Sequence, residues 1–429
     1  MRKIMEKLGF DKKRLIQFLL VASNSQLIYA FYALRSVMYD PFVETLGITN
    51  TQFGFLMSVI GVCGTFGSFA LSWLQDLFSV RKVLTVNSLI TACLGLIVAL
   101  SPVGLPYVVL LAIWFGFGLT TETFYWASAL KGVRAIAKED KQATAFGIFE
   151  TVRGGWEFIV NSIGVVILTI LGGGVFGVRA AMTFACVMLL ISGLLVWLFV
   201  PEQKPQFEGN KTRGAFKGLL KAVRLPAVWL TGLGVCCVYA TFAAVNTYFV
   251  PYLTSVYAMP VTLVAVFGLV NGSVTRFTAA PISGIIADLK FKSSAHMMRV
   301  SFCALAVLLV VALMLPKTPS MVIVAMVVLL LIAICCFLVR GIYYSPIGEM
   351  GVPTEMSAAA MSVAIFIGQS PQFWAYPLYG HFLDTYAPEK AYSLIFSILI
   401  CLAILGIVVT TLIGRKVVKI RAAKETTES

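Results

Sequence analysis

Charged residues are scarce in this sequence. Asp, Glu, Lys and Arg together make up 12% of its 429 residues, whereas soluble globular domains carry about 25%. Hydrophobic residues make up 59%, and the mean hydropathy is +0.92. This composition excludes a soluble globular protein and predicts a chain that crosses a membrane several times.

Residues that commonly build metal and catalytic sites are also few. The two histidines, His296 and His381, lie far apart, and the nine cysteines lie in apolar stretches without a C-x-x-C motif. A zinc site and a disulfide framework are therefore not expected. The sequence also lacks the nucleotide-binding pattern G-x-x-x-x-G-K-[ST] and an evident nucleophile–base pair. We expect no metal, no cofactor and no enzymatic activity.

Apolar stretches of the length that a membrane helix needs, about 20 residues, follow one another along the chain. Twelve can be placed, and we number them as spans one to twelve: 15–38, 51–75, 82–101, 105–130, 143–170, 175–200, 226–252, 261–287, 297–315, 320–344, 355–383 and 390–414. The basic N-terminal segment and the long first stretch favour an uncleaved membrane helix over a signal peptide. The sequence thus predicts an all-α membrane protein with twelve transmembrane helices.

Acidic residues are outnumbered, at 19 against 33 Lys and Arg, so the formal net charge is +14. The basic residues lie mostly in short loops, which argues against a nucleic-acid surface. One side of the membrane receives the N-terminal segment and the stretches 81–82, 131–141, 204–224, 290–292 and 415–424, and the other receives Arg179, Lys317 and Lys390. Because Lys and Arg concentrate in cytoplasmic loops, we expect both termini in the cytoplasm and the protein in a bacterial inner membrane.

The longest polar stretch, 201–225, follows span six and contains prolines, glycines and charged residues. It is typical of a linker. We therefore predict an N-terminal six-helix bundle at 1–200 and a C-terminal six-helix bundle with a short cytoplasmic tail at 226–429. The halves share a feature that supports a repeat: an aspartate, Asp76 or Asp288, ends the second helix of each half before basic residues.

The two aspartate segments resemble a cytoplasmic motif of the major facilitator superfamily. Leu74, Asp76, Arg81 and Leu84 match the first copy, and Gly284, Ala287 and Asp288 match the second. The resemblance implies two pseudo-symmetric bundles and a secondary transporter. It also implies gates, with Asp76 near Arg81 and Asp288 near Lys292. In the superfamily each aspartate faces a helix N-terminus of the other half, here expected near Pro353 and Ala143.

A narrower resemblance is to the organophosphate–phosphate antiporter branch. It rests on YALRSVMYDPF (32–42) and DLFSVRKVL (76–84), and it implies that Arg35 is the anion ligand of the first half. The branch has a second arginine in span seven, where this sequence has Phe242. YYSPIGE (343–349) and PLYGHFLD (377–384) are similar to stretches of enterobacterial transporters, some associated with sulfosugar metabolism.

Arginines inside membrane spans are costly and mark cavities, acid partners or anionic ligands. In span one, Tyr32, Arg35 and Tyr39 have the spacing of one helical face, where a guanidinium and phenols would suit an oxyanion. Snorkelling of Arg35 to headgroups is the alternative. Arg276, near the middle of span eight, is the expected anion ligand of the second half, with an acid partner on another helix as the alternative.

Two further spans combine charges. Glu150, Arg153 and Glu157 share one face of span five, which favours a structural ion pair for Arg153, although it is also a candidate for substrate binding. Glu122 lies one turn before the candidate ligand Trp126 in span four. Glu122 and Glu157 are the candidates for proton coupling. The alternative is that these acids only neutralise the arginines.

Arg340, near the end of span ten, is expected to snorkel or to pair with an acid rather than to bind substrate. Other polar residues of the second half are candidates for lining the substrate site: Tyr239, Asn246, Tyr343, Gln369 and Gln372.

Together these patterns predict a secondary active transporter of a small organic anion, of the sugar phosphate, sulfonate or carboxylate type, working by alternating access with protons. Its partners would be the anion, protons or a counter-anion, and the lipid bilayer, and we expect a monomer. Anion exchange without protons and a transport-inactive metabolite sensor remain alternatives. Excess arginine argues against an exporter of apolar cations.

Overall fold

The computed structural model of the chain describes residues 11–67, 78–101, 104–136, 142–202, 221–291, 293–352 and 354–428. Within these ranges the regular structure is helical, and each of the twelve predicted apolar stretches contains helix. Among the residues that the structure describes, eight helices are long and apolar enough to cross a membrane, or ten if two bent pairs each count as one span. The all-α membrane architecture is thereby confirmed.

The chain divides into two compact units, Met1–Phe207 with Val261–Leu269, and Glu208–Pro260 with Val270–Ser429. The helices of the first unit are α1 (Lys12–Leu27), α2 (Ala30–Ala33), α3 (Tyr39–Leu46), α4 (Asn50–Val62), α5 (Val80–Leu100), α6 (Tyr107–Phe117), α7 (Tyr125–Ile136), α8 (Gln142–Ile170), α9 (Val175–Phe199) and α12 (Val261–Gly268). Those of the second are α10 (Pro226–Thr247), α11 (Phe249–Tyr257), α13 (Thr275–Ile286), α14 (Ser294–Met314), α15 (Val322–Arg340), α16 (Ser345–Glu349), α17 (Thr354–Gly368), α18 (Pro371–Thr385) and α19 (Pro388–Glu428).

Several predicted spans are broken helices. Span one is bent by 51° between α1 and a segment that ends at Ser36. Tyr39 then starts α3, whose third residue is Pro41. Proline has no backbone N–H to donate and disfavours helix in the residue before it, so it fits the first turn of a new helix better than the interior of an old one.

In the described ranges, four π-helical segments interrupt the spans: Cys63–Gly67, Gly118–Thr123, Leu269–Val274 and Ala287–Phe291. The first two pack against each other inside the first unit. The Thr123 hydroxyl donates to the carbonyl of Cys63 at 2.8 Å. Gly118 makes this approach possible, because a Cβ there would lie 2.6 Å from the Cβ of Cys63. Such π-helical turns are frequent at functional sites.

A buried polar network joins four helices of the first unit around Asn24 of α1. Its amide donates to the Ser192 hydroxyl of α9 at 3.1 Å. Its carbonyl accepts from Ser88 of α5 at 3.1 Å and from Tyr125 of α7. Interhelical hydrogen bonds of this kind hold membrane helices together where apolar contact alone gives little preference for one partner.

In the second unit, polar groups satisfy two helix ends. Glu349 accepts from the backbone N–H of Ser294 at 2.8 Å and so caps the start of α14. Lys317 donates to the carbonyl of Ala312 at 2.7 Å, near the end of the same helix, and to the hydroxyl of Tyr252 at 3.1 Å. A carboxylate at a helix N-terminus and an ammonium at its C-terminus both complement the helix dipole.

Candidate functional site

The first unit contains a charged cluster around Arg153 of α8. Arg153 is 7% exposed, and its Nη1 donates to Glu150 Oε1 at 2.8 Å, which is the ion pair that the i,i+3 spacing predicts. The guanidinium carbon lies 4.6 Å from the centre of the Trp126 ring and 5.9 Å from that of Tyr29. Phe149 lies 5.6 Å away on a third side. The cluster therefore combines one carboxylate contact with three cation–π contacts.

Two more carboxylates belong to this region. Glu122 lies on the π-helical segment Gly118–Thr123, half-buried, and interacts electrostatically with Arg153. Its side chain packs against Gly64, where an added Cβ would lie 3.3 Å from the Cβ of Glu122. Glu157 accepts from the side-chain amide of Gln26 at 3.2 Å. The two acids that the sequence marks for proton coupling thus lie on different helices, and Arg153 acts on Glu122.

Span one does not present its three polar residues on one helical face. Arg35 lies in the 3-10 turn Leu34–Ser36, whereas Tyr39 belongs to α3 and donates to Asn50 Oδ1 at 2.9 Å. The predicted face of Tyr32, Arg35 and Tyr39 is therefore wrong for Tyr39, because the helix ends at Ser36. Arg35 stays beside Tyr32: its Nη1 donates to the Tyr32 carbonyl at 2.6 Å, and its guanidinium lies 5.8 Å from the Tyr32 ring.

Arg276 follows a π-helical segment in the second unit. It is half-buried and is the second residue of α13, directly after Leu269–Val274. Asn271 in that segment donates to the carbonyl of Val245 at 2.8 Å. The Asn246 side chain lies close to Gly272, 3.8 Å from where a Cβ would be. Arg276 and Asn246 therefore flank the same distorted stretch of span eight.

Arg340, the last residue of α15, has surroundings that differ from the expectation. Its guanidinium carbon lies 3.6 Å from the centre of the Phe242 ring, 5.2 Å from that of Tyr239 and 5.9 Å from that of Phe337. Its Nη1 is buried without a hydrogen-bond partner. Among the residues that the structure describes, none forms an ion pair with Arg340. The predicted acid partner is thus not found there, and burial of Nη1 does not fit snorkelling.

The remaining candidates lie in two places. Tyr343 stacks on Tyr239, with ring centres 6.4 Å apart and 27° between their planes. Gln372 donates to Gln369 Oε1 at 3.1 Å, at the break between α17 and α18. Sequence reasoning did not assign Tyr29 or Gln26 to the site, although both lie on the first span within two turns before Tyr32.

The predicted gate residues are only partly described. Asp76, Lys292 and Pro353 lie outside the described residues, and so does the side chain of Asp288. Arg81 is described, and its Nη2 lies 2.8 Å from Glu202 Oε2. Lys82 pairs with the other oxygen of Glu202 at 2.7 Å. The ring of Trp197 lies 4.6 Å from the Arg81 guanidinium. These contacts join the start of α5 to the end of α9.

The sequence profile of the Major Facilitator Superfamily matches residues 18–376. The chain belongs to the major facilitator superfamily. Membership agrees with the helical fold and with the resemblance of the Asp76 and Asp288 segments. This major facilitator is accordingly an integral membrane protein and a secondary transporter, and the family and fold point to a transporter rather than an enzyme.

Relatives of this major facilitator are similar over most of their length. It is 29% identical to the inner membrane protein YihN of Escherichia coli over 410 residues, which cover 95% of this chain and 96% of YihN. It is 26% identical to the inner membrane protein YqcE of Escherichia coli over 411 residues, covering 92% and 93%. A solved bacterial homologue of the human lysosomal transporter Spinster superposes with a TM-score of 0.75 at 14% identity, covering 96% of this chain and 99% of that chain. This last likeness concerns the fold alone.

Proposed function

We propose that the protein moves a small organic anion across the membrane by alternating access and couples this movement to protons. The observation that carries the proposal is the Arg153 cluster. A guanidinium that is 7% exposed, bound to Glu150 at 2.8 Å and acting on Glu122, lies within membrane helices. Charges in such positions are costly and mark substrate or proton pathways.

The cluster suggests how anion and proton could move together. An anion that binds the Arg153 guanidinium replaces the neighbouring carboxylates as its partner. The negative charge of these carboxylates is then no longer compensated. A proton on Glu122 would then remove an unpaired negative charge. Because coupling between two binding sites is reciprocal, protonation would also strengthen anion binding. This is the thermodynamic behaviour that a proton symporter requires.

Further residues are proposed as anion ligands on the same chemical grounds. Arg35 lies beside Tyr32, and Arg276 lies beside the distorted turn that also approaches Asn246. Arginine binds oxyanions through two parallel N–H donors, with more directional preference than a lysine ammonium. Asp76 with Arg81, and Asp288 with Lys292, remain our proposed gates. We also propose a bacterial inner membrane with cytoplasmic termini, which the inner-membrane relatives and the basic loops support. A monomer is proposed as well.

Exchange without protons is the second candidate, and the position of Arg153 favours it. Arg153 pairs with Glu150 at 2.8 Å and also acts on Glu122, a candidate for proton coupling. A nearby cation favours the charged form of a carboxylate, which carries no proton. In an exchanger, each incoming anion would be matched by an outgoing one. Glu122, Glu150 and Glu157 would then serve only to balance the charge of the arginines.

The test is uptake into proteoliposomes. The purified protein is first screened for thermal stabilisation by sugar phosphates, sugar carboxylates and sulfonates, with glucose and glycerol as neutral controls. Arg35→Ala and Arg276→Ala should then abolish uptake of the stabilising anion, whereas Arg299→Ala, on α14, should not. An imposed pH gradient that drives uptake into empty liposomes supports symport. Uptake only into liposomes preloaded with anion supports exchange, and normal uptake by both site variants would refute the proposed ligands.

A further inference from the structure

The second unit contains its own arginine–aromatic cluster, which we call the Arg340 cage. It consists of Arg340 from α15 and the rings of Tyr239, Phe242 and Phe337. The guanidinium lies almost in contact with Phe242, 3.6 Å from the ring centre, and 5.2 Å from the centre of Tyr239. Tyr343 continues the aromatic wall by stacking on Tyr239. Aromatic side chains from three segments thus surround one cation: α10, α15 and the turn after α15.

The cage resembles the Arg153 cluster in its rings but differs in its charge balance. Arg153 has Glu150 at 2.8 Å. Within the described part of the chain, the titratable groups acting on Arg340 are Tyr239, Tyr343 and Cys336, none of them a carboxylate or a second cation. The cage therefore keeps a net charge of about +1, because the phenols and the thiol are neutral near pH 7.

The cage also has hydrogen-bonding capacity that its own atoms do not use. Arg340 Nη1 and the Tyr344 hydroxyl are buried and have no partner at hydrogen-bond distance and angle, although the Tyr343 side chain lies near enough to interact with both residues. Tyr344 lies against Tyr343, with ring centres 4.2 Å apart. Aromatic faces and the C-terminal dipole of α15 stabilise the positive charge. However, a ring face does not replace the in-plane oxygen acceptors that guanidinium N–H groups prefer, and buried polar groups left unpaired call for a partner.

We propose that the Arg340 cage binds the anionic group of the substrate, and that it selects a singly charged organic oxyanion, a carboxylate, sulfonate or sulfate ester. Within the cage one guanidinium balances one negative charge, because the other proposed anion ligands, Arg35, Arg153 and Arg276, are not among the groups that act on Arg340. A phosphate monoester carries about −1.5 to −2 near pH 7 and would leave charge uncompensated in an aromatic, poorly hydrated site. The ring faces of Tyr239 and Tyr343 offer stacking surface to the carbon skeleton.

This inference rests on the proposed function, since it assumes that the substrate is an organic anion, and it narrows the class. It also assigns to Arg340 a role that a guanidinium at a helix C-terminus need not have. If Arg340 only stabilised the end of α15, its loss would lower stability without changing the preference among anions.

The experiment measures ligand affinity by thermal stabilisation and by direct binding at pH 8. The probes form matched sets: glycerate with glycerol 3-phosphate, glucuronate and glucose 6-sulfate with glucose 6-phosphate, and glycerol and glucose as neutral controls. At least one monoanion should bind the wild type more tightly than its phosphate counterpart. Arg340→Gln should weaken that binding by about tenfold or more, as expected for loss of a charge-assisted contact.

Three variants separate the possible causes. Arg340→Lys keeps the positive charge but loses the paired N–H donors of the guanidinium. Its affinity should therefore lie between those of Arg340→Gln and the wild type. Phe242→Leu keeps the charge but removes the ring under the guanidinium, and intermediate affinity is expected. Arg299→Gln is the matched control, because Arg299 contacts His296 outside the cage, and it should bind like the wild type. Phe242→Leu also keeps the test usable if Arg340→Gln does not fold.

The outcomes distinguish the two proposals. If a monoanion binds and folded Arg340→Gln and Phe242→Leu bind it equally well, the cage is not the site, while anion transport stands. Tighter binding of phosphate monoesters than of monoanions would overturn the charge selectivity. If proteoliposomes take up a neutral solute, and no anion binds or competes with it, the proposed function itself fails.

Discussion

The guanidinium of Arg340, on α15, lies 3.6 Å from the centre of the Phe242 ring, on α10. α10 has no arginine of its own, so the positive charge beside its aromatic rings comes from another helix. This relationship motivates the anion-binding experiment on the Arg340 cage.

Replacing Glu122 by Gln should separate proton coupling from substrate movement. Glutamine keeps the shape and hydrogen-bonding ability of the side chain but cannot gain or lose the proton. We expect Glu122→Gln to lose uptake driven by a pH gradient and to retain counterflow exchange in preloaded liposomes. Glu44→Gln, an exposed acid on α3, is the control. Normal gradient-driven accumulation by Glu122→Gln would rule out this acid as the coupling site.

Gly118 should not tolerate a methyl group. Its Cβ would lie 2.6 Å from the Cβ and 2.7 Å from the Sγ of Cys63, so the two π-helical segments would be forced apart. Overpacking of this kind costs about 1–3 kcal/mol, and Gly118→Ala should lower the melting temperature. Gly155→Ala is the matched control, because no atom of the described chain lies within 4 Å of its added Cβ. Equal melting temperatures for the two variants would contradict the close contact.

Loss of the Asn24 side chain should destabilise the first unit. Asn24→Ala removes the partner of Ser88, Ser192 and Tyr125 at once and leaves their hydroxyls buried. Each unsatisfied buried group costs about 1–3 kcal/mol, so the variant should unfold at clearly lower temperature in detergent. Thr183→Ala on α9 loses a hydroxyl that donates only to the Arg179 carbonyl of its own helix. If both variants unfold at the same temperature, the Asn24 network contributes little to stability.

The Glu202 pairs should make stability depend on acidic pH. The hydrogen bond from Lys82, with the charges of Lys82 and Arg81, lowers the pKa of Glu202 below its ordinary value. A carboxyl whose pKa is lowered by folding stabilises the fold above its unfolded pKa, about 4.3, and loses this contribution as pH falls through its folded pKa.

Melting temperatures of wild type and Glu202→Gln should therefore differ at pH 7 and converge as the pH falls below about 4. The difference should be small and shrink with added salt, because Glu202 is exposed. Glu44→Gln serves as the comparison for removing an exposed acid. A difference that grows towards acid pH would reverse the expected sign.

The sequence predicts some contacts of the candidate site and not others. Neighbours within one helix are fixed by helical periodicity, and so the contact of Arg153 with Glu150 follows from their spacing. Tyr39 shows the limit of this reasoning: the span breaks at Ser36, and the phenol lies on the next helix. Hydrophobicity alone does not mark such a break, because apolar residues continue on both sides of it.

Composition and hydrophobic length determined that this protein is a helical membrane protein, because every backbone polar group in a bilayer must be paired within helices or closed sheets. The aspartate motifs indicated the superfamily. The tertiary structure decided which ring or acid each membrane arginine meets, because contacts between helices depend on packing rather than on spacing along one chain segment. It placed Trp126 and Tyr29 against Arg153, and it surrounded Arg340 with aromatic rings.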